Sequence, residues 1–448
     1  MMNPGPAVAP GTRVPQTSDH PLFPRHALLA FVLVTALFFL WGIPNNLNDV
    51  LIRQFMKSFA ISRFQAGLVQ SAFYLGYFVL SMPAAFVMRS YGYKKGLITG
   101  LILYGAGTFL FWPAAMAQSY GFFLCALFVI ASGLAFLETG ASPFIAQVGD
   151  PASSERRLNF SQAFNPLGSI TGVWIGTTFI FSGVELTQAQ IAQMQAAGTY
   201  STYLKHETTR VIAPYLVLGC VVLFWALLLW RTKSFPAVGD ESDHSPTASH
   251  GTVRHLLRHS HFVLAVIAQF FYVGAQVGTW SYFIQYVQQY THQPEKVAGY
   301  FLTGTLAAFA VGRFSATYLM RTVAPNRLMG IYALINVLLV AIGVLRPGWI
   351  GLWAIFLTSF FMSLMFPTIF GLGLRGLGPD TKLGGSLLVM AIIGGAVFTP
   401  AMGLLAEATS SMAKGVLIPM LSYIFIAYFA FVGYRQKSLA TSNSPDNQ

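Results

Sequence analysis

Asp49, Glu138 and Arg313 are ionisable side chains that lie inside long apolar runs, away from the ends of those runs. A charged group near the centre of a lipid-facing helix costs about 2.5–3.5 kcal/mol on insertion scales. Each is therefore expected to face a bundle interior or a water-filled passage. Asp49 lies in the stretch Ala27–Phe55, ALLAFVLVTALFFLWGIPNNLNDVLIRQF, which runs from a bilayer-length apolar segment straight into Pro44, Asn45, Asn46 and Asn48. On a helix Asn45 and Asp49 stand four apart and Asn46 and Asp49 three apart, so amides and a carboxylate share one face. Arg53, one turn on, leaves open a second reading in which the group marks the end of the span near the headgroups. Glu138 sits in ASGLAFLETGASPFIAQ among Gly133, Gly140 and Pro143, residues that let helices approach closely and let the backbone break. A carboxylate withdrawn from water holds a proton more readily and can load and release one near neutral pH. Its other reading is a structural carboxylate bonded to a neighbouring helix.

Polar stripes accompany these charges. Asn159, Gln162, Asn165 and Ser169 fall three, three and four residues apart on an apolar span. Carboxamides donate and accept together, which suits vicinal hydroxyls of a sugar. Gln269, Tyr272, Gln276, Thr279 and Trp280 make a second stripe, with aromatic rings that sugar faces favour. Both stripes could equally serve interhelical hydrogen bonding. Arg313, in AVGRFSATYLM, could bond a sugar, pair with a carboxylate or hold backbone carbonyls.

The composition decides what positions these residues. With 448 residues, 55% hydrophobic, 9% charged and a mean hydropathy of +0.60, the chain is a polytopic membrane protein. The net charge of +12 is spread along the loops, with no basic module interleaved with aromatics, so nucleic acid is not expected as a partner. Cys125 and Cys220 lie in apolar runs and suggest neither a disulfide framework nor a metal site. His255, His259 and His261 read as a solvated helix start rather than ligands. No nucleophile–base pair lies at membrane depth, so an enzyme is not expected.

Twelve spans are expected, at 27–54, 64–88, 95–117, 120–148, 158–182, 211–231, 261–290, 296–320, 327–346, 349–374, 384–406 and 414–434. They form an all-α fold of two pseudo-symmetric six-helix bundles, 26–231 and 261–435. A polar linker, 232–260, joins the bundles, with tails at 1–25 and 436–448. Seventeen Lys and Arg fall on the side of the linker and tails, against eight on the other. That asymmetry puts both termini in the cytoplasm.

The halves repeat. Phe38–Asp49, FFLWGIPNNLND, aligns with Phe270–Ser281, FFYVGAQVGTWS, and Met88-Arg89 with Met320-Arg321. Repeated halves mark secondary transporters, whose solute site lies near the midplane between them. Where the first half carries Asn45, Asn46 and Asp49, the second carries Val277, Gly278 and Ser281. Acidic chemistry is thus confined to the first half.

Across all twelve spans the chain resembles the proton-coupled L-fucose permeases of the major facilitator superfamily. The resemblance is carried by FFLWGIPNNLND, FQAGLVQSAFYLGYF, LETGASPF, RLNFSQAFN, FYVGAQ, YFLTG, GRF, FPTIFGLGL and TKLGGSLLVMAIIGG. It implies a sugar/proton symporter working by alternating access in a bacterial inner membrane, expected as a monomer, with the proton as coupling ion and no cofactor. It implies proton coupling by Asp49 and Glu138, with Glu138 also at the sugar site and further sugar contacts at Asn45, Asn46, Gln162, Asn165, Gln276 and Arg313. Glucose/galactose transporters of the same family are the alternative. NNLND and LET favour the fucose branch, while a drug/proton antiporter would want a greasier cavity. Ser142, Pro166 and Phe366 depart from the family pattern, where Asn, a small polar residue and Tyr are usual. MRSYGYKKG lacks the acidic residue common in that superfamily loop.

Overall fold

The computed structural model describes residues 27–149, 154–233, 235–236, 253–320, 322–377 and 381–435. Both expected tails and most of the expected linker lie outside the described residues. Within them the chain is helical, with no strand. Lipid offers no partner for backbone N–H and C=O groups, so a spanning segment must satisfy them internally.

The helices are α1 Leu28–Ser58, α2 Arg63–Met88, α3 Ser90–Met116, α4 Tyr120–Ile145, α5 Ser154–Gln162, α6 Phe164–Ile175, α7 Gln188–Ala196 and α8 Tyr200–Arg231. They continue as α9 Ser260–Thr291, α10 Glu295–Leu319, α11 Pro325–Leu345, α12 Trp349–Leu374, α13 Leu387–Ala408 and α14 Met412–Gly433. Eleven of the described helices are long and apolar enough to cross a membrane. The twelfth expected span, 158–182, is present as α5, α6 and a π-turn at Gly176–Ile180 rather than one helix. Pro166 explains the first break, since it has no N–H for the carbonyl of Gln162. At the second, Arg210 of α8 donates to the carbonyls of Phe179, Ile180 and Phe181. The kink that separates α2 from α3 rests on Gly92, near the start of α3, whose φ of 80° is open to glycine at little cost.

Outward faces are apolar, as lipid requires: Met82, Phe86, Phe314 and Tyr318 are all exposed. Polar groups point inward. The N-terminal helices meet the C-terminal ones along α2–α13, α6–α10 and α1–α9. Within the N-terminal set, α1 crosses α6 with backbones in contact. A Cβ on Gly42 would lie 3.1 Å from the Gly168 Cα and from the Ser169 amide nitrogen. This crossing fixes the wall that carries Asn45 and Asp49 against the wall that carries Asn165.

Gly42→Val is expected to force α1 from α6 and destabilise the protein by about 1–3 kcal/mol, the usual cost of overpacking. A lowered midpoint of thermal unfolding in detergent would show it. An unchanged midpoint would mean that the crossing is not tight.

Candidate functional site

Pro44 interrupts the hydrogen-bond ladder of α1 and leaves the Leu40 carbonyl without its usual partner. The Tyr104 hydroxyl of α3 fills that vacancy at 3.1 Å. The helix therefore continues through Pro44 and presents Asn45, Asn46 and Asp49 to a cavity of about 210 Å³. Asp49 is 1% exposed. Its Oδ2 accepts from Asn46 Nδ2 at 3.0 Å, the three-residue pairing expected from the spacing. Its Oδ1 accepts from Gln70 Nε2 of α2 at 2.9 Å and from Ser281 Oγ of α9 at 2.8 Å. Asp49 therefore faces the interior of the bundle and its cavity rather than the outer surface.

Glu138 of α4 lines the same cavity. It has no hydrogen bond or ion pair with any described residue, so its oxygens are free for a ligand. Asn165 lines the cavity and reaches the Phe38 carbonyl with Nδ2 at 3.4 Å, while Asn45 Oδ1 faces the Tyr77 hydroxyl at 3.4 Å. Both contacts are long, so a ligand could displace them at small cost. Gln276 and Arg313 also line the cavity, from α9 and α10. Arg313 lies over the Phe309 ring at 4.9 Å and donates through Nε to the Ser363 carbonyl at 3.3 Å. Of its three readings, holding a backbone carbonyl is observed.

Gln162 is not among the lining residues. It is exposed at the end of α5, where the break before Pro166 takes it out of phase with Asn165 and Ser169. The Asn159 side chain lies outside the described ones. From the second stripe, Tyr272, Gln276 and Trp280 reach the cavity, while Gln269 is buried with both amide atoms unpartnered and Thr279 is buried away from the lining. Phe366 does line the cavity, with its ring 6.1 Å from that of Tyr272, whose hydroxyl is buried without a partner.

Several members of the site escaped the sequence reading. Gln70 is a lone amide in an apolar stretch of α2, and Ser281 is the repeat position of Asp49; those two signals could have found them. Tyr74 and Tyr77 add aromatic wall. The charges Glu207 and Glu295 were placed outside the spans, yet they are 1% and 0% exposed. The sixth span begins earlier than expected, at Tyr200, and so includes Glu207.

These charges close one end of the cavity. Lys57 Nζ lies 2.9 Å from Glu207 Oε2 and 2.6 Å from Glu295 Oε1, joining the two sets of helices. Glu295 Oε1 also accepts from the Gly183 amide at 3.2 Å, and the Glu295 amide donates to Glu185 at 2.8 Å. Arg63 donates to Gln289 and to the Ala406 carbonyl, both at 3.3 Å, and the Phe64 amide to Glu407 at 2.9 Å. Among the described residues, hydrogen bonds joining the two sets run from Ser71–Ala396 to this end, and none joins them at the linker end.

The Major Facilitator Superfamily model matches residues 26–382. The chain belongs to the Major Facilitator Superfamily. It is 43% identical to the L-fucose-proton symporter of Escherichia coli K12, over 91% of this chain and 93% of that one. It is 33% identical to a putative glucose/galactose transporter of Helicobacter pylori J99, over 91% and 98%. The crystal structure of the E. coli fucose:proton symporter FucP in the outward conformation matches at 42% identity and a TM-score of 0.68, covering 92% of this chain and all of that one. As a superfamily member the protein is a multi-pass membrane protein.

Glu295→Gln leaves Lys57 paired within its own half alone. Removing one partner of a buried pair weakens the closed end. Spin-label distances across that end, in a background lacking Cys125 and Cys220, are expected to shift toward the open form by about tenfold in population, or about 1.4 kcal/mol. An unchanged distribution would show that the pair does not hold the gate.

Proposed function

We propose that the protein imports a monosaccharide, L-fucose first among candidates, together with a proton by alternating access. The observation that carries this reading is the cavity shared by Asp49 and Glu138, one carboxylate holding three donors and the other without a partner among the described residues. Amides and aromatic rings complete the lining, the mixture that sugar hydroxyls and sugar faces call for. The relative most alike among those named is itself an L-fucose-proton symporter. A cavity of about 210 Å³ suits a small solute, whereas pockets for drug-sized ligands run about 300–1,000 Å³. This argues against a drug antiporter.

On this reading residues 26–231 and 261–435 are the two rocking bundles, and the linker and both termini are cytoplasmic, in a bacterial inner membrane. The closed end is then the outer one, so the cavity serves the cytoplasmic side. Asp49 carries the coupling proton. Glu138 bonds the sugar, helped by Asn45, Asn46, Asn165, Gln276 and Arg313, with Gln162 on the path out. Neutralising Asp49 removes the cost of enclosing a charge, so the loaded carrier can change sides. One proton falling through 100 mV releases about 2.3 kcal/mol, enough for a roughly fortyfold sugar gradient. Glucose or galactose is the second reading. It is favoured by the H. pylori relative and by Phe366, which offers no hydroxyl to the sugar.

In proteoliposomes, adding L-fucose is expected to alkalinise the medium more than D-glucose or D-galactose does. Asp49→Asn should abolish uphill uptake while leaving sugar exchange; full uphill uptake by that variant refutes the proton role. Glu138→Gln should weaken L-fucose binding at least about tenfold, or 1.4 kcal/mol, by calorimetry. Unchanged binding removes Glu138 from the site.

A further inference from the structure

Asp49 and Ser281 occupy matching positions of the internal repeat, 232 residues apart, and they touch. The contact is one side of a buried triangle. Gln70 Nε2 donates both to Asp49 Oδ1 and to Ser281 Oγ, each at 2.9 Å, and Ser281 Oγ donates to the same carboxylate oxygen at 2.8 Å. All three residues are at most 1% exposed. Asn46 and Gln70 belong to the same set of helices as Asp49. Ser281 is on α9 of the other set, and its donation depends on the two sets being joined at the closed end.

We propose that Ser281 is a positioning residue for proton release: docked on Asp49 at this closed end, its hydroxyl makes the carboxylate a poorer base than it would be in the same conformation without that donor. The inference rests on Asp49 being the proton site. A hydrogen bond to the ionised form favours that form. Closing adds one such donor, which offsets part of the cost of burying the ionised form and so eases release of the proton on the side then accessible. Opening withdraws Ser281 with α9, and the carboxylate takes a proton again. Linkage makes the effect reciprocal: the Ser281 contact by itself favours closure with Asp49 ionised, and so offsets part of the cost of enclosing that charge.

Gln70 lets the triangle serve both charge states. Its Oε1 is buried without a partner. Turning the amide over brings that acceptor to Asp49, where it takes the O–H of the protonated acid. The other ionisable groups facing this cavity are Glu138 of α4, Tyr74 and Tyr77 of α2, Tyr272 of α9 and Arg313 of α10. Arg53, one turn along α1, is engaged with Glu185 and Glu295. None of these crosses between the sets to reach the Asp49 oxygens, whereas Ser281 does.

The test is an infrared titration of the protonated-carboxyl band in detergent-solubilised full-length protein, with the band assigned by its loss in Asp49→Asn. Ser281→Ala is expected to move the midpoint of that band to higher pH by about one unit, a tenfold gain in proton affinity. Ser281→Thr, which keeps the hydroxyl, is expected to restore the original midpoint. The pH profile of L-fucose uptake in proteoliposomes should shift with the band. An unchanged midpoint in Ser281→Ala, or a Thr variant that behaves as Ala does, overturns the inference while leaving Asp49 as the proton site. If Asp49→Asn removes no band, the proton-site reading itself fails.

Discussion

A carboxylate carried to membrane depth has to be satisfied there, and the architecture around Asp49 follows from that requirement. Leaving such a charge unpaired in a low-dielectric interior is prohibitive, so it must be hydrogen-bonded, neutralised or both. α1 supplies one donor from its own next turn, Asn46, and α2 supplies Gln70. The third donor, Ser281, comes from the opposite set of helices. The satisfaction of a single side chain is therefore tied to the relative position of the two sets. Any relative movement of the two sets would therefore change how that carboxylate is satisfied.

Glu138 meets the same requirement in another way. It faces the cavity with no hydrogen-bond partner among the described residues, which leaves its oxygens open to water or a ligand. Two acids in one cavity thus have different environments, one bonded by the protein and one open to solute. Environment separates their roles where residue type alone would not.

The closed end is built on the repeat as well. Lys57 and Gln289 are repeat partners, as are Arg63 and Glu295, being separated by the same interval as Asp49 and Ser281. Lys57 pairs with Glu295 while Arg63 bonds Gln289, so equivalent positions make crossed contacts about the pseudo-two-fold. Burial of Lys57, Glu207 and Glu295 together is tolerable because each charge has a partner, and such an arrangement favours a definite geometry more than raw stability.

Helical spans, the inward-facing placement of Asp49 and Glu138 and the pairing of Asn46 with Asp49 were legible in the chain, because they depend on local periodicity and on the cost of charge in lipid. The motifs quoted for the fucose permeases also pointed to the family that the comparisons then gave. Gln162 fell out of the lining because Pro166 breaks the helix between it and Asn165, a departure visible in the chain whose angular consequence was not. Glu207 and Glu295 looked like loop charges, since hydropathy alone cannot say that a charge at a helix end is covered by another helix. What the sequence determined by itself was which residues lie on which helix face, since rise and turn per residue are fixed by backbone geometry. Only the tertiary structure decided that Ser281 meets Asp49 and that Lys57 bridges Glu207 to Glu295. Those contacts depend on how two sets of helices far apart in the chain pack together, a long-range relation that no local pattern encodes.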